Sequence, residues 1–276
     1  MTTLTVRRLL VDLEAPFPVR WNGGDAFRSA WFNALSMSFP AGEQFFIDSV
    51  REGLKQLPEA EREAFAAEVQ GFIGQEATHR RVHGLFNAQL EKHGLVNHWE
   101  ARVRQRMRRL EGVNIRHWVG VTAAVEHFTA ILSFHLLAHP ELLDGAEPRL
   151  RTLWLWHSAE ESEHRSTAFD LYRALGGDEP WRRRWMRIST INFLADALRQ
   201  TVNNLWHDGS LFQPGTWASA ARFFWGRDGF FRSLYRPWKD YFDPGFHPRQ
   251  QGGTLGEDWL RANPDAFTAV GARAAV

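Results

Sequence analysis

The stretch WLWHSAEESEHR, Trp154–Arg165, sets His157, Glu161 and His164 at successive offsets of four and three residues. On an α-helix their directions fall within a ~60° arc of one face. Two imidazoles and a carboxylate so placed can hold a metal ion. Upstream, GQEATHRRVH (Gly74–His83) repeats the Glu-x-x-His spacing with Glu76 and His79, and His83 lies one turn further along the same side. Two such motifs on two helices imply a shared centre.

Working outward, the pattern is helical almost throughout. Residues 1–25 read as an extended lead-in, because Pro16, Pro18 and Gly23-Gly24 discourage regular structure up to Asp25, a plausible N-cap. Residues 26–56 are helical by pattern, and Pro40 with Gly42 predicts a break or kink near 39–42 ahead of a second stretch carrying Glu43. Glu59–Lys92 is a long helix closed by His93-Gly94; residues 97–110 form a short, very basic one. Asn114 opens the next long helix, which runs to His139-Pro140 and carries Glu126. Pro148 opens another, predicted to continue to Leu175 and stop at Gly176-Gly177. No sustained strand alternation, solenoid repeat or glycine-rich phosphate loop is present.

The candidate donors therefore fall in a definite order: Glu43, then Glu76 with His79, then Glu126, then Glu161 with His164, each set on its own long helix. Ferritin-like di-iron and di-manganese bundles draw one Glu from each of two helices and Glu-x-x-His from each of the other two. The expected fold is thus all-α, a ferritin-like four-helix bundle with additional helices. Residues 26–176 would form the metal-binding bundle of a single domain spanning 1–276. Carboxylates can bridge two divalent ions and offset their charge, and one imidazole per ion leaves coordination positions open. Glu126 lies in GVTAAVEHFTAILSF and Glu43 precedes Phe45-Phe46-Ile47, surroundings in which an uncompensated carboxylate would be costly. His157 reads as a seventh ligand or as a hydrogen-bond partner of one, and His83 as a residue behind the ligands. The register leaves a choice between Glu160 and Glu161. Glu161 pairs with His164 and follows His157 by four, whereas Glu160 points about 100° away, towards a basic partner or a role in proton handling. The remaining histidines, His117, His127, His135, His139, His207 and His247, have no such partners in sequence.

The runs NALSMSFPAGEQFFIDSVR, FIGQEATHRRVHGLFN, AAVEHFTAIL and WLWHSAEESEHRSTAFDLY resemble the bacterial family labelled predicted metal-dependent hydrolases, over roughly residues 5–210. That resemblance implies ferritin-like helices and metal-dependent chemistry. The triplet His157-x-x-x-Glu161-x-x-His164 is also similar to the last metal helix of the di-iron N-oxygenases that oxidise arylamines. By that likeness the other ligands are Glu43, Glu76, His79 and Glu126.

Composition bounds what such a centre can be. With 276 residues and 44% hydrophobic content the chain can bury a sizeable core. Lys plus Arg number 33 against 32 Asp plus Glu, so no global field favours nucleic acid. The absence of cysteine excludes disulfides, thiolate ligands and a catalytic thiol. The N-terminal run, interrupted by Asp12 and Glu14, reads neither as a signal peptide nor as a span, and the expected location is cytoplasmic. Residues 177–250 are expected to add helices with a dense set of aromatics, from Phe212 to Phe246. These would cover the bundle, a second subunit of a homodimer, an apolar substrate tunnel or a peripheral membrane contact. The tail 251–276 reads as loosely held.

Two reaction classes suit this centre. The favoured expectation is a non-haem di-iron oxidoreductase, an oxygenase using dioxygen and an electron donor on a small, apolar organic substrate, with two iron ions. The alternative is a metal-dependent hydrolase with two ions such as Mn or Zn; non-catalytic metal storage ranks third.

Overall fold

The computed structural model describes residues 4–270, and within them the chain is all-α apart from one two-stranded sheet. Four long helices carry the predicted donors: α1 (Ala26–Lys55), α2 (Glu59–Lys92), α4 (Ile115–Ala138) and α5 (Pro148–His164). The short basic α3 (Trp99–Arg108) joins the second to the third. Helix α1 packs along α2 and α4, α4 along α5, and α5 touches α2, which closes a ring, with one cluster of buried apolar side chains around Trp31 and Trp154 and another around Phe72 and Tyr172. Helix starts and stops follow the capping residues seen in sequence. Asp25 accepts from the Arg28 amide, Asn114 from the Arg116 amide, and Gly94 adopts φ 80° behind the end of α2. Among the described residues one helix, α4, is long and apolar enough to cross a membrane, and 67% of its apolar window is buried among the others.

Three expectations need correcting. Pro40 does not break α1, which runs unbroken from Ala26 to Lys55. Proline lacks the N–H that would bond the Ser36 carbonyl, and Asn87 Nδ2 on α2 supplies that bond instead at 3.0 Å. The helix opened by Pro148, expected to reach Leu175, ends at His164. A two-residue turn at Arg165-Ser166 separates α5 from α6 (Thr167–Ala174). Across that end, Gly256 packs so closely on Ser162 and the Ala159 carbonyl that a side chain there would collide with both.

The third correction concerns the ends of the chain. Within the lead-in, β1 (Arg7–Leu9) pairs antiparallel with β2 (Phe267–Ala269), Arg7 opposite Ala269. The stretch expected to hang loosely contains α10 (Leu255–Ala262), which packs against α5, and then β2; residues 271–276 lie outside the described residues. Glycine at position 71 lets the lead-in lie on α2, since a Cβ there would meet Leu4 Cβ at 2.7 Å. Strand alternation over three residues is too short to register as a period.

After α6 the chain forms α7 (Glu179–His207), α8 (Pro214–Trp225) and α9 (Phe230–Asp240). The aromatics of this region divide into two groups. Phe223, Phe224 and Phe230 are buried against Phe27 and Trp31 of α1, whereas Phe212, Trp217, Trp225 and Tyr235 are exposed. Arg182, fully buried, donates to the Tyr241 and Asp243 carbonyls, pairs with Glu179 at 2.5 Å and stacks on the Tyr241 ring at 4.8 Å. The basic start of α7 thereby holds the chain that follows α9, and the same guanidinium lies over the Phe169 ring of α6, 5.7 Å from its centroid.

His127 makes a second tie, its Nε2–H donating to the Pro237 carbonyl at 3.2 Å from within the core. Burial pushes this imidazole down from 6.5 to about 4. With the folded value below the free one, unfolding takes up a proton between pH 6.5 and about 4, so stability held above that window is lost across it. We expect His127→Phe to cost about 1 kcal/mol at neutral pH through the lost hydrogen bond. That deficit should shrink or reverse as the pH falls towards 4, in paired urea titrations; a deficit that grows on acidification would contradict a neutral buried imidazole.

Candidate metal centre

The ring of helices turns Glu43 (α1), Glu76, His79 and His83 (α2), Glu126 (α4), and His157, Glu160, Glu161 and His164 (α5) into its interior, all of them buried. Glu76, His79, Glu161 and His164 form one group whose donor atoms lie within 4.8 Å of one another. His164 Nδ1 is 3.5 Å from Glu76 Oε1, and its Nε2 is 3.4 Å from Glu161 Oε1 and 3.9 Å from Glu126 Oε2. Glu43 gathers with His157 and His83 in an adjoining group. Glu126 falls in neither group, its nearest approach being the one to His164, so the structure brings the other predicted donors together in two adjoining sets with Glu126 beside the first.

Whether these residues suit a metal is tested by their hydrogen bonds. Among the described residues, both oxygens of Glu43, Glu76 and Glu126, one of Glu161, Nδ1 of His79 and both ring nitrogens of His164 are buried with no hydrogen-bond partner. Native interiors leave only a few such atoms unsatisfied, and those are scattered. So many facing one another is the signature of a site whose partner is a cation. Burial pushes the Glu43, Glu76 and Glu126 carboxyls well above the usual range, and the neighbouring carboxylates add to this at Glu76 and Glu126. Burial acts the same way on Glu161, but His164, His157 and His79 outweigh it and hold this carboxyl well below the usual range.

The outer partners set which ring nitrogen each imidazole turns inward. Glu160 Oε2 takes the Nε2 hydrogen of His79 at 2.9 Å, leaving Nδ1 facing Glu161 Oε1 at 3.4 Å. Against the lowering effect of burial, these two carboxylates raise His79 to about 10. Arg7 Nη1 holds the other oxygen of Glu160 at 3.1 Å and Glu163 at 2.7 Å. Both oxygens of Glu160 are thereby engaged, one behind His79 and one on a basic partner, Arg7. The part of Arg7 lies beyond sequence reading, since it comes from a three-residue strand 153 positions away.

A second chain of bonds governs His157. Asn87 Nδ2 donates to the Ser36 carbonyl, so its Oδ1 accepts from Ser36 Oγ at 2.7 Å. That hydroxyl has one hydrogen, so it must accept from His83 Nδ1 at 2.9 Å. His83, whose value burial and the neighbouring His157 drive well below 6.5, is neutral, so its Nε2 accepts from His157 Nδ1 at 2.7 Å. His157 is left with the lone pair of Nε2 turned inward, 3.1 Å from Glu161 Oε1. A lone pair facing a carboxylate is stable only with a cation between them. His83, although grouped with Glu43, has both nitrogens committed and serves to orient His157.

An apolar cleft of about 840 Å³, its open mouth included, runs between α1, α3, α4 and α7 and ends at Glu43. A second pocket of about 530 Å³, its open mouth again included, lies behind Phe39 and Thr129 and reaches His157. The centre is therefore approached through hydrophobic walls.

A buried set of carboxylates and imidazoles inside an all-α ring defines a metal-dependent protein. Residues 5–252 match the family described as predicted metal-dependent hydrolase, and the chain belongs to that family. No curated protein and no solved structure matches it.

Glu76→Ala and Glu161→Ala should each abolish stoichiometric binding of at least one ion, measured by elemental analysis after purification, because the remaining donors cannot offset the charge. His157→Ala should lose or weaken one ion and retain the other. Full metal content in all three variants would dismiss the assignment.

Proposed function

We propose that this protein is a hydrolase that holds two divalent ions through Glu43, Glu76, His79, Glu126, His157, Glu161 and His164 and cleaves a small apolar substrate in the cleft that ends at Glu43. The observation that carries the reading is the set of buried, unpartnered donor atoms converging from four helices. The family description supports hydrolysis over the oxygenase favoured from the ligand pattern. Four carboxylates match the charge of two divalent ions, and their order along the chain is that of ferritin-like bundles. When bound, the ions would lower the pKa of water and stabilise the oxyanion formed at a substrate carbonyl or phosphoryl group. The protein's own part is to place donors and exclude bulk water. Glu160 with Arg7 fixes His79, His83 with Ser36 fixes His157, and Phe39, Phe45, Phe46 and Phe193 line the approach.

One observation favours a second reading. Mixed carboxylate and imidazole ligation in a dry helical interior also suits iron and dioxygen, in which case a reductant would be a further partner.

The two readings separate in one experiment. Protein loaded with manganese or zinc under nitrogen is expected to cleave an apolar aryl ester or phosphate ester, and Glu161→Ala should lower that rate by about two orders of magnitude or more. Oxygen uptake by the iron-loaded protein on addition of a reductant, with no anaerobic cleavage, would overturn the hydrolytic reading in favour of oxidation.

A further inference from the structure

We propose that the outer face of α7, α8 and α9 docks on a membrane surface carrying anionic lipids, with the mouth of the apolar cleft opening at that face. This docking does not rest on the hydrolytic reading.

The exposed side of α7 carries an apolar stripe edged by the exposed Arg184, Arg187 and Arg199. Ile191, Leu198, Val202 and Trp206 are solvent-facing, Ile191 at 69% exposure, and their directions share a ~80° arc over about 22 Å of helix. Beyond the end of α7, Phe212 is 82% exposed against the Trp206 ring. On α8 and α9, Trp217, Trp225 and Tyr235 are also exposed. The two areas are joined by a groove in which Thr190 and Leu194 of α7 face Phe231, Leu234 and Tyr235 of α9. Monomeric proteins seldom present an apolar face this continuous without a partner for it.

Charge indicates which partner. From Glu179 to Asp240 the chain carries nine Arg and one Lys against Glu179, Asp196, Asp208, Asp228 and Asp240, and Glu179 is paired with the buried Arg182. Asp196 is buried between Arg102 and Arg106, and Asp208 is held by Arg20, so the surface keeps the positive sign. Arg222, Arg232, Arg236 and Lys239 are exposed and have no carboxylate partner among the described residues. Exposed Arg184 and Arg187 lie over aromatic rings. Apolar and aromatic side chains interleaved with unpaired arginines suit the headgroup boundary of an anionic bilayer, where rings sit among acyl chains and guanidinium groups meet phosphates. A second copy of this chain fits poorly, because a two-fold contact would set one basic face against an identical one.

The cleft gives the contact a use. Asn192 and Phe193 of α7 line it, Asn192 lies about 100° round the helix from Ile191, and the opposite wall is the basic α3 with Arg106. The mouth thus borders the exposed stripe. An apolar substrate dissolved in the bilayer could pass from lipid to Glu43 along hydrophobic walls.

The test is flotation of the full-length protein with phosphatidylcholine vesicles, with and without phosphatidylglycerol. Binding is expected only with the anionic lipid and should weaken as salt is raised. Arg232→Glu with Arg236→Glu should weaken it about tenfold or more, and Trp206→Ser with Phe212→Ser about a hundredfold. Arg62→Glu on α2 should leave it unchanged. All the substituted residues are exposed, and circular dichroism checks that each variant remains folded. Failure to float with anionic vesicles would overturn the proposal, as would binding that ignores these substitutions. A dimer in sedimentation velocity that Trp206→Ser with Phe212→Ser dissolves, without vesicle binding, would assign the face to a second copy.

Discussion

Everything in this structure is arranged around the cost of placing four carboxylates and three imidazoles together in a buried interior. Separately, each such group would be expelled to the surface or neutralised by a proton. Together they would be tolerable around divalent ions, which would reverse the sign of the local field, so that the same burial that penalises Glu43, Glu76 and Glu126 would strengthen their hold on a cation. Long helices answer this problem because they satisfy their own backbone and leave the interior free for side-chain donors. The apolar lining of the cleft keeps the field unscreened.

Behind those donors lie two supports of different character. On one side Arg7 and Glu160 fix His79 by charge. On the other, a neutral chain through Ser36, His83 and Asn87 fixes His157, and it begins at the carbonyl that Pro40 leaves without its helical donor. A residue usually regarded as a helix breaker thus gives α2 a place to dock and fixes the tautomer of an imidazole on α5. The two sides differ accordingly in how they respond to their surroundings, since the charged support depends on ionic pairing and the neutral one on packing.

The sequence is informative where local rules operate. Helix limits followed caps and glycines, as at Asp25, Asn114 and Gly94, and the donor order read from Glu43 to His164 places each residue inside the ring. It is uninformative where a distant segment decides the outcome. The continuity of α1 through Pro40 depends on Asn87, and the end of α5 at His164 lies under α10. The strand that carries Arg7 exists only because residues 267–269 return to it. The C-terminal aromatics were legible as a group, but composition could not divide those that fill the core beside Trp31 from those left on the outside. That division depends on which side of each helix meets α1. The reaction itself is the least legible part, since the same donors serve hydrolytic and oxidative metals.

The pairing of β1 with β2 also bears on how the protein is made. Residues 43–164, which carry the candidate donors, leave the ribosome well before Phe267–Ala269, whereas Arg7 is held by backbone bonds to that later strand and lies over the Phe267 ring. During synthesis the helices can gather while Glu160 still lacks its fixed counter-charge. The clasp closes only after Phe267–Ala269 have been made, so His79 gains its outer support later than the ring of helices that carries it.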